Sequence, residues 1–400
     1  MVKILLIICF TLCVEPANSR PQGNPHDSVK DYLIIFWNLE NFFDTRFDPG
    51  KEDGTFIPTG EKRWTRSRFI DKRNGIAKTI IDIGAFPALI GFAEVENRYV
   101  LNQLIYETPL AMGGFAIIHR DSPDRRGIDV ALLYCRRQYR PLKNSFIKVR
   151  VTDTANTYLT DSTKVHPAGP IEVHPADSAK PYVTREILYS KGVFHDLDTV
   201  HVFVNHWPSK FGGEEASAPY REAAADALAG VCDSILAKSS RANILVMGDF
   251  NDTPDSEVIK NIQQRCSLKV LRSYRQGGRR PLGERIFGGQ KEREGQKERG
   301  GQKDEENNKV GGSRVIETGT IKYKGLWEQI DMFMVSQNLL DSREPISTGN
   351  DCFTLFSPQY LMERDRAYTG FKPKRTYIGP RYNGGLSDHL PIVLRINRNW

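Results

Sequence analysis

Five short motifs in this 400-residue chain combine carboxylates, carboxamides and histidines, and each stands where an apolar run ends. They are Trp37-Asn38-Leu39-Glu40-Asn41, Phe92-Ala93-Glu94-Val95-Glu96, Asn205-His206-Trp207-Pro208, Gly248-Asp249-Phe250-Asn251-Asp252 and Ser387-Asp388-His389-Leu390-Pro391. A carboxylate beside a carboxamide oxygen suits a hard cation such as Mg²⁺, which takes oxygen ligands and keeps several waters. An aspartate near an asparagine can take a proton from water and aim it, and a histidine can hold charge against an anion. Singly, each motif also reads as a turn. Together they are the inventory of a metal-dependent attack on phosphate.

Asn38 and Glu40, two residues apart, share one side if the chain is extended. Glu94 and Glu96 offer a second carboxylate at matching parity, and Glu94, nearer the end of its apolar run, is the preferred ligand. The Gly248–Asp252 segment is the most specific signal. Gly248 lets the backbone turn closely, Asp249 can accept a proton from water, and Asn251 can orient that water or a phosphate oxygen. Asp388 and His389 point apart in an extended segment, so that one can face a metal and the other a phosphate oxygen. Asp331 sits amid apolar residues, where a carboxylate is costly unless paired, and His389 is its expected partner. His206 has Asn205, Lys210 and Arg221 as company for an anionic substrate. Arg126 adds a candidate phosphate contact, although a solvated charged turn is its default reading.

The elements that position these groups follow from hydrophobic patterning. Runs rich in Ile, Val, Leu and Phe predict strands at Tyr32–Trp37, Ala88–Phe92, Phe115–Ile118, Ile128–Tyr134, Val200–Val204, Ile244–Met247, Ile330–Val335 and Leu390–Ile396. Their near-continuous apolar character predicts cover on both faces. Helical spacing predicts one helix over Thr65–Ile83, closed by Gly84, and another over Ala216–Lys238. Strands outnumber helices and both are interleaved, so a layered α/β fold with its sheets inside is expected.

Residues 1–19 carry Lys3, the apolar run Ile4–Val14 and Ala17-Asn18-Ser19, the pattern of a secretory signal peptide cleaved after Ser19. A lipoprotein anchor at Cys9 or Cys13 ranks below simple cleavage. The apolar run is too short to span a bilayer, so an exported protein, periplasmic or secreted, is expected. Residues 20–30 read as a flexible lead-in and 31–400 as a single domain. Within it, residues 289–306 are three hexads, GQKERE, GQKERG and GQKDEE, inside a polar insertion at about 283–312 that cannot bury a core. The formal net charge is +7, which favours anionic partners without naming nucleic acid. Cys135, Cys232, Cys266 and Cys352 lack the close pairing of zinc or redox motifs, and buried thiols are the expected state of Cys135 and Cys232.

WNLENFF, GFAEVEN, NHWPSK, MGDFND, EQIDMF and GGLSDHLP, in that order, resemble the motifs of the endonuclease/exonuclease/phosphatase superfamily over nearly all of Tyr32–Asn399, the hexad segment apart. The resemblance implies an exported, bacterial-type member with a four-layer sandwich, two mixed β-sheets face to face and helices on the outer faces. It also implies hydrolysis of a phosphoester with Mg²⁺ or Mn²⁺. By motif position, Glu94 resembles the main metal ligand, supported by Asn38, Glu40 and Asp388. Asp249 and Asn251 resemble the water-activating and phosphate-orienting pair, His389 with Asp331 a His-Asp dyad, and His206 the second active-site histidine. A phosphodiesterase, and foremost an endonuclease or exonuclease acting as a monomer, is the leading reading. A phosphatase, a sphingomyelinase-like lipid phosphodiesterase and a silent binding protein on the same fold stand as alternatives. No groove-inserting element is identifiable; the basic and aromatic segment Phe371–Tyr382 reads as a loop bordering the site.

Overall fold

The computed structural model describes residues 31–84, 86–151, 184–195, 197–210, 212–272 and 319–399. The expected leader, the lead-in and the 283–312 insertion lie outside the described residues. Among the described residues thirteen strands build two large sheets. In chain order they are β1 (Asp31–Phe42), β2 (Leu89–Val95), β3 (Phe115–His119), β4 (Asp129–Cys135), β5 (Tyr139–Ile147), β6 (Ile187–Phe194) and β7 (Asp198–His206). Then come β8 (Asn243–Asp249), β9 (Leu268–Val270), β10 (Asp331–Ser336), β11 (Ile346–Ser347), β12 (Phe353–Leu355) and β13 (Ile392–Arg398). Each predicted strand is present. The patterning misses β5, β6, β9, β11 and β12: β5 is largely exposed, β5 and β6 carry polar residues within the strand, and the other three span only two or three residues.

One sheet has the order β11-β13-β1-β2-β4-β3, with β12 also pairing β13, and the other has the order β5-β6-β7-β8-β10-β9. Both are mixed: β1 and β2 run parallel, as do β7 and β8, while all other pairs are antiparallel. Their inner faces meet in an apolar core. The Tyr32 ring of β1 stacks on Phe194 of β6 at 4.5 Å, and Phe333 of β10 meets Phe353 of β12 edge-on. Gly91 of β2 permits close approach, because a Cβ there would lie 2.7 Å from Met247 Sδ on β8.

Among the described residues four α-helices cover the outer faces. On the β1 sheet lie α1 (Arg66–Ile83) and α2 (Arg98–Tyr106), burying Phe69, Ile76, Ile80, Val100 and Leu104 against Trp37, Phe92 and Leu133. On the β8 sheet lie α3 (Glu214–Leu236) and α4 (Glu257–Arg265), burying Leu228, Ile259 and Ile262 against Phe203, Val246 and Met332. Thr65 caps α1 by accepting from Arg68 N, and Gly84 closes it as expected. The predicted second helix, Ala216–Lys238, occurs as α3 shifted by two residues. The result is the expected four-layer α/β sandwich. Among the described residues no helix is long and apolar enough to cross a membrane. Among the described residues Cys135, Cys232, Cys266 and Cys352 are free thiols, the first three of them buried.

Candidate active site

Strand direction explains why distant motifs meet. The parallel pair β1/β2 delivers Asn38 and Glu94 toward its carboxyl ends, and the parallel pair β7/β8 delivers His206 and Asp249 at its own. β10 and β13 run opposite to their neighbours, so their first residues fall at the same edge; Asp331 lies directly across from Asp249, and His389 just precedes β13. Gly248 fits here because a Cβ would stand 2.5 Å from the Asn205 carbonyl oxygen of β7. Eight described non-glycine residues have positive φ, and four belong to these motifs: Glu40 (46°), Asn41 (59°), Glu94 (59°) and Asn251 (49°). Register shifts interrupt β1/β2 after Asn38 and β2/β4 at Glu94, as bulges that re-aim side chains. Backbone strain of this kind gathers at functional sites.

The inner group is buried and closely connected. Asp249 Oδ2 accepts from Asn38 Nδ2 at 2.9 Å, and its Oδ1 accepts from Asn251 N at 2.9 Å. Burial, and then the Asp331 carboxylate, push Asp249 up to about 7 against the pull of His389, Asn38 and the Asn251 amide. Asp331 Oδ2 accepts from His389 Nδ1 at 2.7 Å. Burial lowers the His389 pKa, but Asp331, Asp249 and Asp388 outweigh it and hold the ring protonated well above the usual histidine range. His206 goes the other way: burial and the charges of Arg185, Arg126 and His389 push it well below. His206 Nδ1 is buried without a partner. A bare lone pair is the less costly orphan, so the neutral ring carries its proton on Nε2. That atom lies 3.7 Å from both Glu94 Oε1 and Asp249 Oδ2, and His389 Nε2 lies 3.8 Å from Asp249 Oδ2.

A second group surrounds Glu94. Its Oε2 accepts from Asn41 N at 2.9 Å, and Oε1 is 3.4 Å from Asn38 Nδ2. Glu94 and Asp388 keep part of their side chains open, at 16% and 20%. With Asn38 and Glu40 these are all oxygen donors, a set that fits a hard divalent cation. Asn38 and Glu40 do not point together, however, because Glu40 is left-handed rather than extended. Its oxygens accept from Arg375 Nε at 3.0 Å and Thr376 N at 2.8 Å, which leaves Glu94 and one oxygen of Asp388 as the open ligands. Arg375 also pairs with Asp388 at 3.0 Å. Glu96 leaves the site altogether; its carboxylate turns to the Asp44 amide.

Two buried cations without a place in the sequence reading support this frame. Lys72 Nζ donates to the Glu40 carbonyl and to Thr376 Oγ1, both at 2.7 Å, and burial pushes its pKa down to about 8 against three carboxylates. Its spacing was the available signal, since Lys72 falls between Phe69 and Ile76 on the apolar stripe of α1. Replacing Lys72 with Met leaves two buried acceptors unpaired, and is expected to lower stability by about 2–3 kcal/mol in urea unfolding. Arg185 donates to the carbonyls of His206 and Trp207 and pairs with Asp124 at 2.7 Å, fixing the turn after β7.

The three expected phosphate contacts are placed differently from one another. Arg221 is buried, with Nε 3.2 Å from Asp252 Oδ2 and Nη1 on Ser217. Lys210 pairs with Glu214 at 2.6 Å and Asp252 at 3.3 Å. Asp252, next to Asn251, pairs with both and ties them to that loop; Arg221 is enclosed there, while Lys210 keeps part of its side chain exposed. Arg126 is half-exposed and acts on His206 from the rim. Asn251 Nδ2 donates to the Trp207 carbonyl at 2.9 Å, which fixes its amide plane beside Asp249.

No curated protein matches this chain. Solved structures with a similar outline include the human Nocturnin catalytic domain (12% identity, TM-score 0.47, covering 92% of this chain and 95% of that one). A Bacteroides thetaiotaomicron mannosyl-6-phosphatase is similar at 12% identity and TM-score 0.48, over 91% and 99% of the two chains. D. rerio TDP2 with a single-strand DNA product gives 11% and 0.47, over 92% and 99%. The endonuclease/exonuclease/phosphatase family model matches residues 33–172, 148–273 and 293–398. The chain belongs to the endonuclease/exonuclease/phosphatase family of metal-dependent phosphoester hydrolases.

Proposed function

We propose that this chain is an exported phosphodiesterase that cleaves nucleic acid by one-step, in-line attack of water on phosphorus. The observation that carries the reading is the gap bounded by Asp249 Oδ2, Glu94 Oε1 and the two histidine Nε2 atoms. Three of its separations, 3.7–3.8 Å, are too long for direct hydrogen bonds, and a water or phosphate oxygen seated over these atoms can bond to more than one of them. Asp249 takes the proton of the attacking water, and Asn251, held by the Trp207 carbonyl, aligns that water. Protonated His389 and the neutral Nε2–H of His206 donate to phosphate oxygens as negative charge grows. Glu94 and Asp388, with Asn38 beside them, would hold Mg²⁺ or Mn²⁺, which supplies positive charge to the phosphate and the leaving oxygen.

The net charge of +7 and the half-exposed Arg126 and Arg375 beside the site favour a polyanion. Export rests on the leader at residues 1–19. The test is a panel of DNA, RNA, sphingomyelin, inositol phosphates and bis-p-nitrophenyl phosphate with Mg²⁺ and with Mn²⁺. Cleavage of DNA or RNA and of the model diester is expected, lost with chelator and restored by metal. Turnover of monoesters alone would assign a phosphatase, and of sphingomyelin alone a lipid phosphodiesterase. Chelator-insensitive turnover, or none with any phosphoester, would sink the hydrolytic mechanism.

A further inference from the structure

Away from the proposed catalytic group, the loop after β1 and the end of β2 bring four carboxylates together: Asp44, Asp48, Asp53 and Glu96. One ligand oxygen from each of Asp48, Asp53 and Glu96 lies within 4.8 Å of the others. Asp53 is 1% exposed, Glu96 5% and Asp44 6%, while Asp48 is partly open to solvent. Among the described residues, no cationic side chain pairs with any of the four. Of the basic residues nearest the cluster, Arg46 lies over the Tyr99 ring, and Lys51 Nζ donates to the carbonyls of Ser122 and Asp124 while its charge also favours the Asp48 carboxylate. Backbone amides meet part of the demand, with Asp48 N on Asp53 Oδ2 and Asp44 N on Glu96 Oε2. Asp53 Oδ1 is buried with no hydrogen-bond partner. Buried carboxylates so close together, one with an orphaned oxygen, are costly unless a proton or a cation neutralises them.

We propose that Asp48, Asp53 and Glu96, with Asp44 beside them, form a second divalent-cation site that takes Ca²⁺. The donors are all oxygen, and two of the carboxylates come from one irregular loop. Such a loop adapts to the six to eight ligands of Ca²⁺ more readily than to the near-ideal octahedron of Mg²⁺. Asp48 provides the entry. The ion would tie the loop after β1 to the segment after β2, the two stretches that leave Glu40 and Glu94. Through Lys51 it would also hold the turn that carries Asp124, the partner of Arg185 beneath His206.

Calorimetric titration of the metal-stripped full chain with Ca²⁺ tests this in a Glu94→Gln background, which removes the proposed catalytic ligand. One Ca²⁺ per chain is expected to persist, and saturating Ca²⁺ should raise the unfolding midpoint by roughly 5 °C. Asp53→Asn or Asp48→Asn added to that background should weaken Ca²⁺ binding at least tenfold. In chelator the same variants should be as stable as their parent or more so, since one repelling charge is gone. The partly exposed Asp48 carries the test if Asp53→Asn does not fold. Binding that vanishes with Glu94→Gln, or that survives Asp48→Asn unchanged, places the ion elsewhere and overturns the proposal.

Discussion

Asp249→Asn is expected to lower turnover of a model phosphodiester by roughly 10²–10⁴-fold while the chain stays folded, because it removes the proton acceptor and keeps the shape. Asp249 spends one oxygen on Asn251 N and the other on Asn38 Nδ2. Asn38 cannot turn to help, since its own oxygen accepts from Glu40 N. An asparagine at 249 offers one acceptor where two donors converge, so about 1 kcal/mol of stability should go with the lost hydrogen bond. The pH profile gives an independent readout. Burial holds the Asp249 carboxyl up to about 7, so the basic form grows as pH rises through that region and activity climbs with it. A cation beside Glu94 pulls this limb lower, and Asp249→Asn should abolish it. Near-normal turnover in the variant, with the limb intact, would take the role of base away from Asp249.

Much of this frame is legible in the sequence because strand cores and strand ends obey different demands. Apolar runs such as Ile244–Met247 and Ile330–Val335 predict β8 and β10, since only a strand covered on both faces accepts them. Polar residues at the ends of those runs then mark the edge where the backbone is free to carry chemistry. What the patterning cannot supply is direction after the last regular residue. Parity places Asn38 with Glu40 and Glu94 with Glu96, yet the left-handed backbone at Glu40 and Glu94 breaks both pairs. Buried cations are harder to read for another reason: Lys72 shows only as a cation on the apolar stripe of α1, Arg185 carries no signal, and Arg221 reads as substrate-facing until its partners are placed. The nearest signal for Arg221 is Asp252 beside Asn251, a carboxylate 31 residues away in sequence that only the α3–β8 packing brings to it. Strands β5 and β6 escape because their polar positions hide the apolar pattern that marks the other strands.

The His389–Asp331 pair allows a sharper test than either residue alone. His389→Ala should lower turnover by about 10²–10³-fold, the size expected for losing one aligned donor to a developing negative charge. It should also destabilise the fold, because Asp331 is 1% exposed, its Oδ1 already lacks a partner, and its Oδ2 would lose the imidazolium at 2.7 Å. Breaking a buried ion pair from one side costs about 3–5 kcal/mol. Adding Asp331→Asn removes the stranded charge, so the double variant should regain much of that stability and none of the activity. Asp331→Asn alone should act differently again. The ring keeps its place near Asp249 but loses the carboxylate that most favours its protonated form. It therefore deprotonates at lower pH, and the falling limb of the pH–rate profile should move toward neutrality. If His389→Ala lowered turnover only in proportion to its loss of folded protein, and the double variant restored both together, the ring would be structural. Recovery of stability without recovery of turnover separates the two roles of His389, as brace for Asp331 and as donor to the phosphate.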